Sequence, residues 1–376
     1  MKNKPVFLIN CSNLKKGGGL QVADSVCGQL YRFPQHRFVV VLSSALQATR
    51  ERIAGMANVV VVTYDIKNNP STLFRGRDRF FDNLVKEENV VAVLTIFGPS
   101  RWRPQVPHLC GFARPHLVIK DSPYQQHLPL KEKIYYRIWK WLFQRSSDTF
   151  YTENSYISER LPEALGRSVR VFTVTNNYNQ VYDAPEKWCR KLNLPSFEGT
   201  TLLSVTAAYA HKNLGIMIPI ARLLEEQHPE FRFRFVLTVL ECEMPIIPDN
   251  LKEHFLFLGK VDIAECPHLY KQADIMFMPT LLECFTATYP EAMRMEVPIV
   301  TTDLEFARGL CGDAACYYSA IDVKAAAEAI YRVATDKEYV QRLVENGKSQ
   351  LQTYDTYEQR AEKLVKIMEE MAVAQQ

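Results

Sequence analysis

Short, continuous runs of apolar residues alternate with stretches of mixed polarity along most of the chain. In the first half this pattern predicts strands at 6–10, 37–43, 59–64, 90–97, 106–112, 149–152 and 169–174. Between them it predicts helices at 20–33, 46–54, 72–88, 131–144 and 156–165. The strand runs are rich in β-branched residues and do not alternate with polar ones. Runs of that kind mark strands covered on both faces, which is the condition of a parallel sheet built from βαβ units. The stretch 176–198 is polar, contains two prolines, and reads as a domain boundary. The pattern then restarts, with strands at 201–205, 232–238, 255–258, 275–278 and 298–302. Helices are predicted at 213–227, 267–272, 289–295 and 323–335. Residues 337–371 are mostly helical, with a break near 354–357.

The expected fold is therefore α/β, with two Rossmann-like, doubly wound parallel-sheet domains facing a central cleft. The first spans 1–175 and the second 176–356, and a terminal helix at 357–376 crosses back to the first. In doubly wound sheets ligands sit at the carboxyl ends of the strands, so two facing sheets imply one shared site.

Composition narrows the class. With 376 residues, 47% of them apolar and 23% charged, each half can bury its own core. The net charge of +3 is the small difference between 45 basic and 42 acidic residues, too balanced to call for a nucleic-acid partner. The first apolar run ends at Asn10, shorter than a signal peptide needs, and no run approaches a membrane span. A cytoplasmic location is expected. Nine cysteines with no CxxC pair read as small core residues. Cys311 and Cys316, with only Asp313 beside them, do not make a zinc site. No metal or cofactor is expected.

Three segments carry candidate chemistry. Gly17-Gly18-Gly19 follows the first strand and opens a helix, where free N–H groups and close backbone approach suit a phosphate or a sugar hydroxyl. It is neither a dinucleotide fingerprint nor a phosphate loop of the P-loop type. Lys212 lies beyond the strand at 201–205 and is suited to neutralising a departing diphosphate. Asn213 beside it can cap the next helix. The third segment runs from Pro279 to Met293. Glu283 sits there in an otherwise apolar loop and Glu291 eight residues on, in a first helical turn. The N–H groups of Phe285, Thr286 and Ala287 are placed to hold a diphosphate, with Thr288 following. The carboxylates would then accept hydrogen bonds from hydroxyls at the two ends of the ligand.

Glu283 and Glu291 form an E-x7-E signature, and this region resembles the group 1, or family-4, retaining glycosyltransferases of the GT-B fold. Phe257-Leu258-Gly259, Leu269-Tyr270, Ala273-Asp274, Val297-Pro298-Ile299 and Cys311-Gly312-Asp313 extend the likeness over the second half. Gly17-Gly18-Gly19 and Phe97-Gly98-Pro99 extend it more loosely into the first. The resemblance implies transfer of a hexose from a nucleotide-sugar to a saccharide or lipid-linked saccharide, without metal and with retained configuration. Polysaccharide or lipopolysaccharide synthesis is the usual setting. It implies that Glu283 meets the donor sugar, Glu291 the ribose and Lys212 the phosphates, while Gly18 and Gly19 contact donor or acceptor from the first domain. Three positions depart from the family. Ala207 stands where many members have arginine, and Thr286 where many have glycine. Gly111-Phe112-Ala113-Arg114-Pro115-His116 replaces a His-Asp pair, leaving His116 or Arg114 as candidates for that catalytic function. The absence of a DxD triplet agrees with leaving-group stabilisation by Lys212 and helix dipoles. A non-catalytic nucleotide-sugar-binding module and a nucleotide-sugar epimerase are the competing functions.

The segment 134–145 mixes aromatic and basic residues. It reads as a core helix with solvated cations, the commoner arrangement, or as a peripheral contact with the inner face of an anionic membrane.

Overall fold

A computed structural model of the chain describes residues 4–67, 69–126 and 128–374, in two compact units. The first is assembled from residues 4–118, 128–176 and 355–374. Its sheet contains β1 (Val6–Cys11), β2 (Arg37–Leu42), β3 (Val59–Thr63), β4 (Val90–Thr95), β5 (His108–Gly111), β6 (Thr149–Thr152) and β7 (Arg170–Thr173). All are parallel, in the order β3-β2-β1-β4-β5-β6-β7. Consecutive residues of β1 point to opposite faces. Phe7, Ile9 and Cys11 pack with Val22 and Val26 of the helix Gly18–Cys27 and with Leu364 and Met368 of the helix Tyr357–Val373. Val6 and Leu8 pack with Phe81 and Trp102 on the other side. Both faces are covered, which is why the strand sequence shows no polar alternation.

The second unit comprises residues 119–126 and 177–354. Its strands are β8 (Thr200–Ser204), β9 (Phe233–Leu237), β10 (Phe255–Phe257), β11 (Ile275–Met278), β12 (Ile299–Thr302) and β13 (Ala315–Tyr318), parallel in the order β10-β9-β8-β11-β12-β13. Leu202, Phe235, Phe277 and Val300 form its core with the helices Met217–Gln227 and Val323–Thr335. Each unit is thus a Rossmann-like α/β domain with the doubly wound strand order.

Three local features differ from the sequence pattern. The helix expected over 72–88 is two pieces, a turn at Ser71–Arg75 and a helix at Arg79–Glu87. Asp78 breaks it, because its carboxylate accepts from Phe80 N at 3.0 Å and from Tyr64 Oη at 2.9 Å, a capping role that competes with helix continuation. The helix Glu305–Cys311 and strand β13 were not anticipated, since Ala-Cys-Tyr-Tyr is too short to carry a period. Residues 119–126 belong with the second unit, where Ser122 Oγ donates to Leu281 O at 2.6 Å.

Candidate functional site

In both sheets the strand order reverses at one pair of neighbours, where loops leaving the carboxyl ends diverge and open a crevice. In the first sheet the pair is β1 and β4, in the second β8 and β11. Every segment singled out as donor-binding follows one of these four strands.

In the second unit, β8 leads to a 3₁₀ turn at Ala210–Lys212, closed by Asn213 in the left-handed region at φ 53°. β11 leads to the loop 279–287, which enters the helix Thr288–Arg294. Backbone and hydroxyl bonds stitch the two loops together. Leu281 N donates to His211 O at 2.8 Å, and Thr302 Oγ1, from the end of β12, donates to Thr280 O at 2.7 Å. The result is an ion pair between a buried carboxylate and a partly buried ammonium, with Lys212 Nζ 2.5 Å from Glu283 Oε1. Thr280 Oγ1 donates to the same oxygen at 2.9 Å, and His211 Nε2 lies 3.9 Å away. Burial holds the His211 imidazole below its ordinary value, with Glu283 opposing and Lys212 reinforcing that shift. Lys212 therefore supplies the fixed positive charge in this crevice.

Further along, Thr286 and Thr288 share a hydroxyl contact of 2.8 Å, and Phe285 packs its ring edge-on to Tyr354. Ala287 precedes the helix without a side-chain cap. Glu291 is separate from the ion pair. It is buried beside Tyr270, whose hydroxyl lies 3.4 Å from its Oε2, and Tyr182. Burial raises its pKa to about 7, and the neighbouring Tyr182 and Tyr270 hydroxyls oppose the rise.

In the first unit, Gly17 takes φ +79°, a conformation costly for any residue with a Cβ, and turns the chain into the helix Gly18–Cys27. Gly19 approaches Leu14 and Phe97 closely, and Asn13 Nδ2 donates to Phe97 O at 2.6 Å. The Gly17-Gly18-Gly19 loop after β1 and the Phe97-Gly98-Pro99 loop after β4 thus lie side by side, and the Gly98-Pro99 bond is cis. His116 lies in the turn Pro115–Leu117 with its ring stacked on Tyr136 at 4.5 Å, and Arg114 sits 3.9 Å above the Trp139 ring. The helix Leu130–Ser146 holds both.

The structure therefore brings Lys212 and Glu283 into contact and sets residues 285–288 and Glu291 along the same loop and helix. Gly18, Gly19 and His116 belong to the first unit. Three participants had no sequence signal of their own. Thr280 and His211 gain their place from the pairing of two loops distant in sequence. Tyr182 lies in the polar stretch that reads as a domain boundary, yet is fully buried against Tyr270. Glu225, Glu253 and His254 could present ligand atoms to a metal ion, but they lie at the amino end of β10, the opposite edge of the sheet.

Glu291 gives the second unit a specific pH signature. A buried carboxyl whose folded pKa lies near 7, above the unfolded value near 4.5, stabilises the fold below the unfolded value. That stability is lost as pH rises through 7. The melting temperature of the wild type relative to Glu291→Gln is expected to fall as pH rises over that interval, as scanning calorimetry would read.

The two Rossmann-like domains have the fold of the GT-B glycosyltransferases. Within the chain, residues 190–350, most of the second unit, match the family model for glycosyl transferases group 1. Among solved structures, a glycosyltransferase from Rickettsia africae is 16% identical over 98% of this chain and 99% of its own, with a TM-score of 0.70. Sucrose-phosphate synthase from Thermosynechococcus elongatus is 14% identical, with 99% and 100% covered and a TM-score of 0.67. HepE from Anabaena, in complex with UDP and glucose, is 13% identical, with 98% and 100% covered and a TM-score of 0.65. No curated protein sequence matches the chain. No helix among the described residues is long and apolar enough to cross a membrane.

Proposed function

We propose that the chain is a retaining, metal-independent hexosyltransferase that takes its sugar from a nucleotide-sugar. The acceptor is a saccharide or lipid-linked saccharide, in the synthesis of a cell-surface polysaccharide. The observation that carries this reading is the largely sheltered Lys212–Glu283 pair at the switch point of the second sheet, inside the stretch that matches the group 1 model.

A sugar leaving a nucleoside diphosphate breaks its anomeric C–O bond, and the electron pair departs with the phosphate. The acceptor oxygen then bonds the same face and passes its proton to the phosphate oxygen that has just departed. The need is for positive charge where the leaving group gains its negative charge. The Lys212 ammonium supplies it from a position largely sheltered from water, and the 285–288 loop follows directly on from Glu283. Glu283, which balances that ammonium in the free chain, accepts hydrogen bonds from the donor-sugar hydroxyls, and Glu291 accepts from the ribose. Gly18, Gly19 and His116 contribute from the first unit, His116 as a catalytic group. A thermal-shift panel of nucleotide-sugars tests the donor, since a ligand that binds only the folded state raises the melting temperature. Transfer from the best stabiliser, with product configuration read by NMR, tests the chemistry. A panel without any stabilising nucleotide overturns the reading.

The Glu291 assignment has its own test. A ribose diol donates to a carboxylate and selects the ionised form of a group with a pKa of about 7. Nucleotide affinity is expected to rise with pH from about 6 to about 8, with a proton released on binding near neutrality. Calorimetry in buffers of different ionisation enthalpy measures that proton. Glu291→Gln should lose both the affinity and its pH dependence.

A further inference from the structure

A helix lying on a globular core has one apolar stripe, turned inward. The helix Leu130–Ser146 has two. Leu142, Phe143 and Ser146 are buried in the first unit. Leu130, Ile134, Ile138 and Trp141 recur at spacings of four, four and three on the other side, and each is between 40% and 73% exposed. The core-helix expectation for this segment therefore holds for one face only.

The outward stripe continues beyond the helix. Phe74, 70% exposed, lies 6.4 Å from the Trp141 ring. Arg145 ties the two segments into one surface, with its guanidinium over Trp141 and bonds of 3.1 and 3.0 Å to Thr72 O and Arg101 O. These five side chains are more than a third of the thirteen large hydrophobic residues exposed among the described residues. A contiguous apolar surface of this kind marks an interaction site.

Its charge identifies the partner. The helix carries five cations, Lys131, Lys133, Arg137, Lys140 and Arg145, against the single anion Glu132. At about 100° per residue, Lys131 falls on one flank of the stripe and Arg137 and Lys133 on the other. Apolar and aromatic side chains projecting between cations meet the demands of a bilayer interface, where rings and aliphatic groups enter the acyl boundary and cations meet anionic headgroups. We infer that this face of the first unit docks on the surface of an anionic lipid membrane, peripherally and without spanning it. The inference stands on surface residues alone and is independent of the donor-site assignment.

The test uses the full chain with phosphatidylcholine vesicles and with vesicles that also contain phosphatidylglycerol. Co-sedimentation is expected with the anionic vesicles, weakening as salt is raised. Ile134→Asp with Ile138→Asp, and separately Lys131→Glu with Arg137→Glu, should each reduce partitioning roughly tenfold or more. All four positions are exposed, so melting temperatures should stay at the wild-type value. Absence of binding to anionic vesicles at low salt overturns the inference, as does binding unchanged in both double variants. A stable dimer by analytical ultracentrifugation that the Asp variant dissociates would also overturn it, by assigning the face to a second copy of this chain.

Discussion

Replacing Lys212 with alanine is expected to lower sugar transfer by roughly 10²–10³-fold, the usual loss when one preorganised charge is removed from a buried site. Lys212 lies against Glu283 at 2.5 Å, with both side chains largely sheltered from water. A single positive charge there is worth far more than one in solvent, because little water competes for the phosphate. Glu283→Gln is expected to cost a comparable factor, since it removes both the counter-charge and a strong acceptor for sugar hydroxyls. If the two residues serve one transition state, the double variant should be scarcely worse than either single one. Turnover, nucleotide affinity and melting temperature should be measured together on all three proteins. Near-normal turnover in both single variants, with the second unit folded, removes this pair from the mechanism.

Gly111→Ala is expected to destabilise the first unit by about 3 kcal/mol, the upper end of ordinary overpacking. Gly111 ends β5, between β4 and β6. A Cβ there would run into the Ile96 carbonyl oxygen, and would come within 2.7 Å of the Tyr151 ring and 2.8 Å of the Ile96 carbonyl carbon. The neighbours cannot yield independently. Tyr151 donates its hydroxyl to Ile96 O, Gly98 N donates to Gly111 O at 2.7 Å, and Phe112 N donates to Tyr151 O at 2.9 Å. Any shift reaches Phe97, and through it the Gly17-Gly18-Gly19 loop. Urea denaturation followed by tryptophan fluorescence should show an earlier transition for the first unit. An unchanged midpoint would mean that β5 is packed less closely than described.

Much of this architecture was legible in the chain because strand sequences of a doubly covered sheet leave little ambiguity. Val-Phe-Leu-Ile in β1 and Phe-Val-Val-Val-Leu in β2 have no polar face to turn to water. Glu283 stood out for a related reason, as a lone charge within an apolar loop. What the pattern did not carry was pairing across distance. Thr280 and His211 meet Glu283 only once the loops after β8 and β11 are neighbours, and no local spacing encodes that. Asp78 lies inside the span 72–88 that periodicity predicts as one helix, whereas its carboxylate ends the preceding segment and starts the next. The aromatic helix at 130–146 was open to two readings because periodicity reports that a face is apolar but not what covers it.

The first unit is not finished until the helix Tyr357–Val373 arrives. Its sheet is complete by residue 173, yet Leu364, Val365, Met368 and Met371 supply part of the packing over β1 and β4. During synthesis that face waits uncovered while most of the second unit is being made. Chaperone engagement should therefore concentrate on nascent chains arrested between the two events, and a late stop codon should injure the early half of the protein more than the half translated just before it.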